Sequence, residues 1–262
     1  MAGSPGWPWP LCVNCDIRIF FAIRTHIVIE IEAMRKAVNH LKKRDPIMRA
    51  VIERVGPCRM EFGPPEFHSL AESIVYQQLN GKAAATIFAR FAALAGDPLT
   101  PAGILKLTDE QLRSVGLSKQ KSAYLKDLAE KTSSGLLDFA RLPEQSDDEV
   151  IAHLTQVKGI GVWTAHMFLM FTLKRENVLP TGDYGIRMAI FKHYLDRKND
   201  RKKAKTAAKA VNKKGKPSAR KPRPRKIKLP NPEQMEKIAM SWEPYRSVAC
   251  WYLWRSLDIK TL

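Results

Sequence analysis

The chain has little cysteine, no long apolar run and almost no strand-like patterning, and each shortage removes a class of protein. Four cysteines in 262 residues, Cys12, Cys15, Cys58 and Cys250, supply no disulfide framework. The Cys12/Cys15 pair stands without the second pair that a zinc site needs, and this usage fits a reducing compartment. No uninterrupted apolar run reaches the roughly 18 residues of a membrane span. The nearest, "IRIFFAIRTHIVIEIE", is broken by Arg18, Arg24 and His26. The Pro/Trp-rich start lacks the basic n-region and small-residue cleavage site of a secretory leader. The expectation is a soluble protein without a membrane partner, cytoplasmic and, in a bacterium, nucleoid-associated. At 45% hydrophobic residues, the chain can bury a core without disulfide or metal.

Acidic residues are missing from one place in particular. Between Arg197 and Lys228 there are 16 Lys/Arg and a single acid, Asp200, which leaves 28 basic and 25 acidic residues for the rest of the chain. The net charge of +18 is therefore concentrated in an insert, and it points to a polyanionic partner. Residues 196–229 carry almost no large apolar side chain, so their composition predicts disorder. The insert reads either as a solvated linker or as a non-specific DNA tether whose affinity falls with salt.

Residues 1–33 differ from the rest of the chain, with prolines and tryptophans crowded at the start and a strand-like alternation at Ile17, Ile19, Phe21 and Ile23. They read as an atypical extension, with Met34 as an alternative start. From Met34 onward the apolar period and punctuation are helical. "EFHSLAESIVYQQL" places Phe67, Leu70, Ile74 and Gln77 on one face. Asp109 falls in the first turn of one helix, and Ser118 caps the next. Ser146 with Glu149 forms a capping box, and two helices flank Pro244. The expected fold is all-α, a helical domain over 34–262 interrupted at 196–229.

"KGIGVWTAHMF" holds a Gly-Ile-Gly turn ahead of an apolar helix. A dinucleotide fingerprint would need a preceding strand and a third glycine, where this chain has Thr164. The preceding "DDEVIAHLTQVK" is helical, so the unit is helix, Gly-rich hairpin, helix. Glycines there expose consecutive amide N–H groups at a positive helix end, which suits one phosphate; a plain helical corner with small residues is the alternative. Downstream, in "LPTGDYGIRMAIF", Asp183 sits at the mouth of another helix. It reads as an N-cap, and beside a bound phosphate such a carboxylate makes sense when it faces a centre that becomes cationic.

The runs "KGIGVWTAHMF", "PTGDYG", "SIVYQQLNGKAAATI", "GLSKQKSAYLKDLA" and "WEPYRSVACWYLWR", taken together, resemble the helix-hairpin-helix DNA glycosylases, and most nearly the 3-methyladenine DNA glycosylase II, or alkylbase, branch. The resemblance covers about Met34 to Asp258 apart from the insert. It implies two helical lobes with the active site in the cleft between them. It also implies a monomer acting on double-stranded DNA that contains damaged bases, and a base-excision activity that hydrolyses the N-glycosidic bond of alkylated purines of the 3-methyladenine and 7-methylguanine type.

By the same resemblance, Asp183 aligns with the catalytic aspartate, and a fixed carboxylate suits an oxocarbenium-like sugar. Trp254 matches a pocket tryptophan, with Trp163 and Tyr184 close by, and their faces suit a cationic base. Gly159, Gly161 and Thr164 would anchor a backbone phosphate, with a monovalent cation on the hairpin carbonyls as an optional addition and no other cofactor. Leu79 and Asn80 in "QQLNGK" correspond to the minor-groove wedge that fills the gap left by an extruded base. Lys119 and Lys121 are candidate DNA contacts. Trp242 and Trp251 are expected in the core.

Two absences define the chemistry further. Relatives that also nick the strand through a Schiff base carry a lysine where this hairpin has Trp163, which predicts a monofunctional enzyme. Only Cys250 follows Asp183, so the four-cysteine iron–sulfur cluster of such lyases cannot form. The chain also has Gly182 where many relatives have an acid. Two other readings stay open: a glycosylase for uracil or another damaged base, and a non-catalytic DNA-binding module.

Overall fold

A computed structural model describes residues 32–196 and 228–258, and no strand occurs among them. The alternation at 17–23, the Cys12/Cys15 pair and the basic stretch 197–227 lie outside the described residues. The helices are α1 (32–44), α2 (Pro46–Val55), α3 (Phe67–Tyr76), α4 (Gly81–Ala95), α5 (Pro101–Leu105), α6 (Asp109–Ser114), α7 (Lys119–Ser133), α8 (Asp147–Leu154), α9 (Val162–Phe171), α10 (Tyr184–Ile190), α11 (Pro232–Ala239) and α12 (Arg246–Asp258). No described helix is long and apolar enough to cross a membrane.

Helix starts obey local chemistry. Ser118 caps α7 by accepting from the Lys121 N–H, and Ser146 and Glu149 close a reciprocal box on α8. Each cap satisfies N–H groups that the helix itself cannot pair. The apolar face of α3 is Phe67, Leu70, Ala71, Ile74 and Val75. Gln77 does not extend it, because the helix ends at Tyr76 and Gln77 is its C-cap with an extended ψ of 129°. The period was right, but the residue after the last turn points elsewhere.

The helices form two groups. α3 to α7 pack on one another, while α2, from before that run, and α10, from after it, both pack on α12; α8 and α9, packed as a pair, carry the hairpin. Trp242 and Trp251 are both buried. The second group is bolted by buried Asp45. One of its oxygens caps α2 through the Ile47 and Met48 N–H groups. The other accepts the Tyr194 hydroxyl at 2.7 Å and the Trp242 indole N–H at 2.9 Å. Tyr194 lies in a π-helical turn, Phe191–Leu195, that continues α10, so this network fixes the far end of the helix that Asp183 begins.

Candidate active site

The hairpin between α8 and α9 uses its two glycines differently. Gly159 has φ +81°, and a Cβ there would stand 2.1 Å from Cδ2 of Tyr124. It is glycine because the backbone turns left-handed while pressed against an aromatic ring. Gly161 has φ −99° and would meet nothing within 4 Å. Its freedom faces open space, just ahead of the first turn of α9, where no side chain caps the N–H groups. α7 holds the hairpin from behind: buried Asp127 accepts the Lys158 backbone N–H at 2.8 Å and the Lys131 ammonium at 2.7 Å. Burial acts to push the Asp127 carboxyl up, but the bonds from Lys131 and Lys158 and the charge of Lys131 outweigh it and hold the carboxyl below its ordinary value.

Asp183 is the N-cap of α10 and is 8% exposed. Its Oδ1 accepts the Ile186 backbone N–H at 2.7 Å and the Trp254 indole N–H at 2.8 Å, and its Oδ2 accepts the Trp163 indole N–H at 2.7 Å. All three donors are neutral, so the carboxylate is fixed by hydrogen bonds and none of them cancels its charge. Trp254 reaches it because residue 185 is glycine: a Cβ there would lie 2.9 Å from Trp254 Cδ1 and 3.1 Å from Asp183 Oδ1.

Around this carboxylate opens a cleft of about 550 Å³, lined among others by Trp163, Met167, Phe171, Trp254, Arg59 and Glu61. That volume is in the range of small-molecule sites. Phe171 and Trp254 pack with centroids 6.0 Å apart. Trp163 is 49% exposed, whereas Tyr184, 67% exposed, does not line the cleft and lies next in the chain to its aspartate. A larger cavity, about 670 Å³, lies between α1, α2 and Tyr252. Among the described residues its lining has no tryptophan and no helix-capping carboxylate, and burial pushes its Cys58 thiol up to about 11.

The remaining predicted residues fall on the other side of the hairpin. Leu79 is 40% exposed on a short turn between α3 and α4, and Asn80 caps α4 by accepting from the Ala83 N–H. Lys119 is exposed at the start of α7. Lys121 is placed otherwise than a phosphate ligand: its ammonium donates to the Val75 and Gln77 carbonyls at 2.6 and 2.8 Å. Thr164 is buried, which leaves its hydroxyl little surface to offer a phosphate.

Several residues here were not singled out from the sequence. Met167 and Phe171 stand four and eight positions after Trp163, and that helical spacing was a usable signal. Arg59 and Glu61 arrive from an irregular connection that carries no period. Tyr124 and Asp127 brace the hairpin from 35 and 31 residues away, and Gln77, expected on an apolar face, reaches the Gly159 carbonyl across 82 residues; local sequence gives no sign of such contacts.

A helical fold that sets a glycine hairpin at the mouth of one helix, and a carboxylate at the mouth of the next within an aromatic cleft, has the build of a DNA base-excision enzyme. A family model described as "HhH-GPD superfamily base excision DNA repair protein" matches residues 71–217, and the chain belongs to that superfamily. It is 32% identical over 233 residues to DNA-3-methyladenine glycosylase 1 of Schizosaccharomyces pombe, a match covering 86% of this chain and 89% of the relative. The solved structure of the 3-methyladenine DNA glycosylase Mag1 from the same yeast, in complex with abasic DNA, is similar with a TM-score of 0.64 at 31% identity, over 86% of this chain and 97% of that one. A DNA-3-methyladenine glycosidase of Bacillus halodurans is similar with a TM-score of 0.63 at 32% identity, over 83% of this chain and 87% of the other.

Proposed function

We propose that the protein is a monofunctional DNA glycosylase that removes alkylated purines from duplex DNA and leaves an abasic site. The observation that carries this reading is the Asp183 carboxylate, held by two indole N–H groups and a backbone N–H inside an aromatic cleft. A base methylated at a ring nitrogen is cationic, and electron-rich rings such as Trp163 and Trp254 attract it by roughly 0.5–2 kcal/mol. As the N-glycosidic bond breaks, its electron pair leaves with the base and the positive charge passes to the sugar, where Asp183 stabilises it. Water adds to the sugar carbon and gives its proton to Asp183 or to solvent.

The hairpin supports the same reading, since the backbone N–H groups after Gly161 suit a DNA phosphate and set the sugar beside the cleft. A monovalent cation would rest on the hairpin carbonyls, among which those of Val157 and Gly159 keep a second lone pair beside the Ile160 N–H and the Gln77 amide that they accept. The absence of strand cleavage is supported by the amines: among the described residues, those lining the cleft include arginine but no lysine. Lys158, the nearest candidate in sequence, has its ammonium 3.4 Å from Asp127.

The test is excision on methylated duplex DNA, resolving 3-methyladenine from 7-methylguanine, with a uracil duplex alongside and borohydride trapping for a Schiff base. We expect release of methylated purines, no trapped adduct, and no excision by Asp183→Asn, which still binds DNA. Release of uracil alone, a trapped adduct, or turnover by Asp183→Asn would each overturn the corresponding part.

A further inference from the structure

The turn that carries Leu79 is tied to the phosphate hairpin by bonds that the excision chemistry does not use. Gln77 Nε2 donates to the Gly159 carbonyl at 3.0 Å, across 82 residues of chain. The next residue, Gln78, has φ +58°, a left-handed conformation usually left to glycine at a helix end. A glutamine there carries strain that its surroundings must hold in place. Lys121 does the holding: its ammonium binds the Val75 and Gln77 carbonyls, placing a cation at the negative end of α3. Lys121 also stands on the helix whose Tyr124 lies under Gly159 and whose Asp127 takes the Lys158 N–H. Wedge turn and hairpin thus share α7 as one frame, with the Gln77 amide as a direct strut between them. A groove of about 420 Å³, lined among others by Gln77, Leu79, Ser118, Lys121 and Gly159, separates the two.

We propose that Gln77 and Lys121 are positioning residues for base extrusion: they fix the turn bearing Leu79 to the hairpin, so that seating a phosphate on the hairpin and inserting Leu79 occur in one register. This rests on the reading of Leu79 as the wedge. It assigns Lys121 to the protein's own frame instead of to DNA, and it gives Gln77 a role that acts only through Leu79.

A double-mutant cycle tests this, using single-turnover excision of a methylated purine from duplex and from single-stranded DNA, with affinity for undamaged duplex and melting temperature measured in parallel. Gln77→Ala should slow duplex excision by about 3- to 10-fold, the loss of one net hydrogen bond. Single-strand excision and affinity for undamaged duplex should stay within about twofold, the margin for independent sites. In a Leu79→Ala background the same substitution should have no further effect. Lys121→Met should repeat the pattern; if it fails to fold, Gln77→Ala still decides. A full additive loss in the Leu79→Ala background, or an equal loss on single strands, overturns the strut while leaving the wedge intact. Leu79→Ala excising duplex and single strand with unchanged ratio overturns the wedge reading itself.

Discussion

The two glycines of the hairpin should fail in different ways when replaced by alanine. At Gly159, alanine must hold φ +81°, which costs about 1–2 kcal/mol for a residue with a Cβ. Its Cβ also lands 2.1 Å from Cδ2 and 2.3 Å from Cε2 of Tyr124. That ring is wedged between α7 and the hairpin, so overpacking adds about 1–3 kcal/mol. The sum, about 2–5 kcal/mol, corresponds to a fall in melting temperature on the order of 10 °C in a domain of this size. At Gly161, φ is −99° and nothing lies within 4 Å, so Gly161→Ala should cost no more than about 1 kcal/mol at a helix N-cap. Its new methyl instead enters the open space where the proposed phosphate would sit. Affinity for undamaged duplex should drop, and the slope of log K against log salt should lessen by about 0.9 for one lost phosphate. Thermal unfolding and a salt titration of duplex binding read both. Tyr124→Ala in the Gly159→Ala background should recover the clash and not the φ cost. Equal melting of the two glycine variants, or full duplex affinity in Gly161→Ala, would refute the division of labour.

Gly185→Ala should slow excision without unfolding the protein, because its Cβ would push the Trp254 indole off Asp183; an excision rate equal to wild type would show the indole bond to be dispensable. Asp45→Ala should destabilise the protein by about 3–5 kcal/mol, since it strands the buried donors of Tyr194 and Trp242 and removes an N-cap; denaturant titration reads the loss. The Asp127 carboxyl is held below its ordinary value of 3.8, so the stability it lends the hairpin is present above that value and is lost as pH falls through the lower folded one. Melting of wild type should therefore decline more steeply below about pH 4 than melting of Asp127→Asn, which lacks this contribution; parallel curves would show that Asp127 does not brace the hairpin through its charge.

How much was legible in the sequence depends on the range of each signal. Caps and apolar faces are local, and Ser118, Ser146/Glu149 and the α3 face read correctly because the deciding contacts lie within four residues. The hairpin and Asp183 were legible because glycine spacing and an N-cap are also local marks. Lys121 and Thr164 were less so. A lysine three positions after a cap has the same sequence context whether it meets a phosphate or the end of another helix. Only the packing of α7 against α3 shows that its ammonium is committed to Val75 and Gln77. Gln77 itself looked like the last member of an apolar face, and one residue of helix length decided that it was not.

Trp163 joins the two halves of the site, and its chemistry explains why an indole suits that place better than an amine if the enzyme only hydrolyses. Its backbone N–H lies in the uncapped first turn of α9, on the side suited to a phosphate, while its side chain donates to Asp183 Oδ2. An ammonium at the same point would form an ion pair with Asp183 and neutralise the charge that, in the proposed mechanism, meets a cationic sugar. It would also offer a nucleophile to the opened sugar. An indole N–H orients the carboxylate and leaves its full charge in place. Trp254 adds a second neutral donor on the other oxygen, so the rotation of Asp183 is fixed from both sides without a counter-ion. Trp163→Lys should therefore lower hydrolytic excision, measured beside duplex affinity, even where DNA binding is kept, because the new cation would pair with the carboxylate whose unpaired charge the proposed reaction uses.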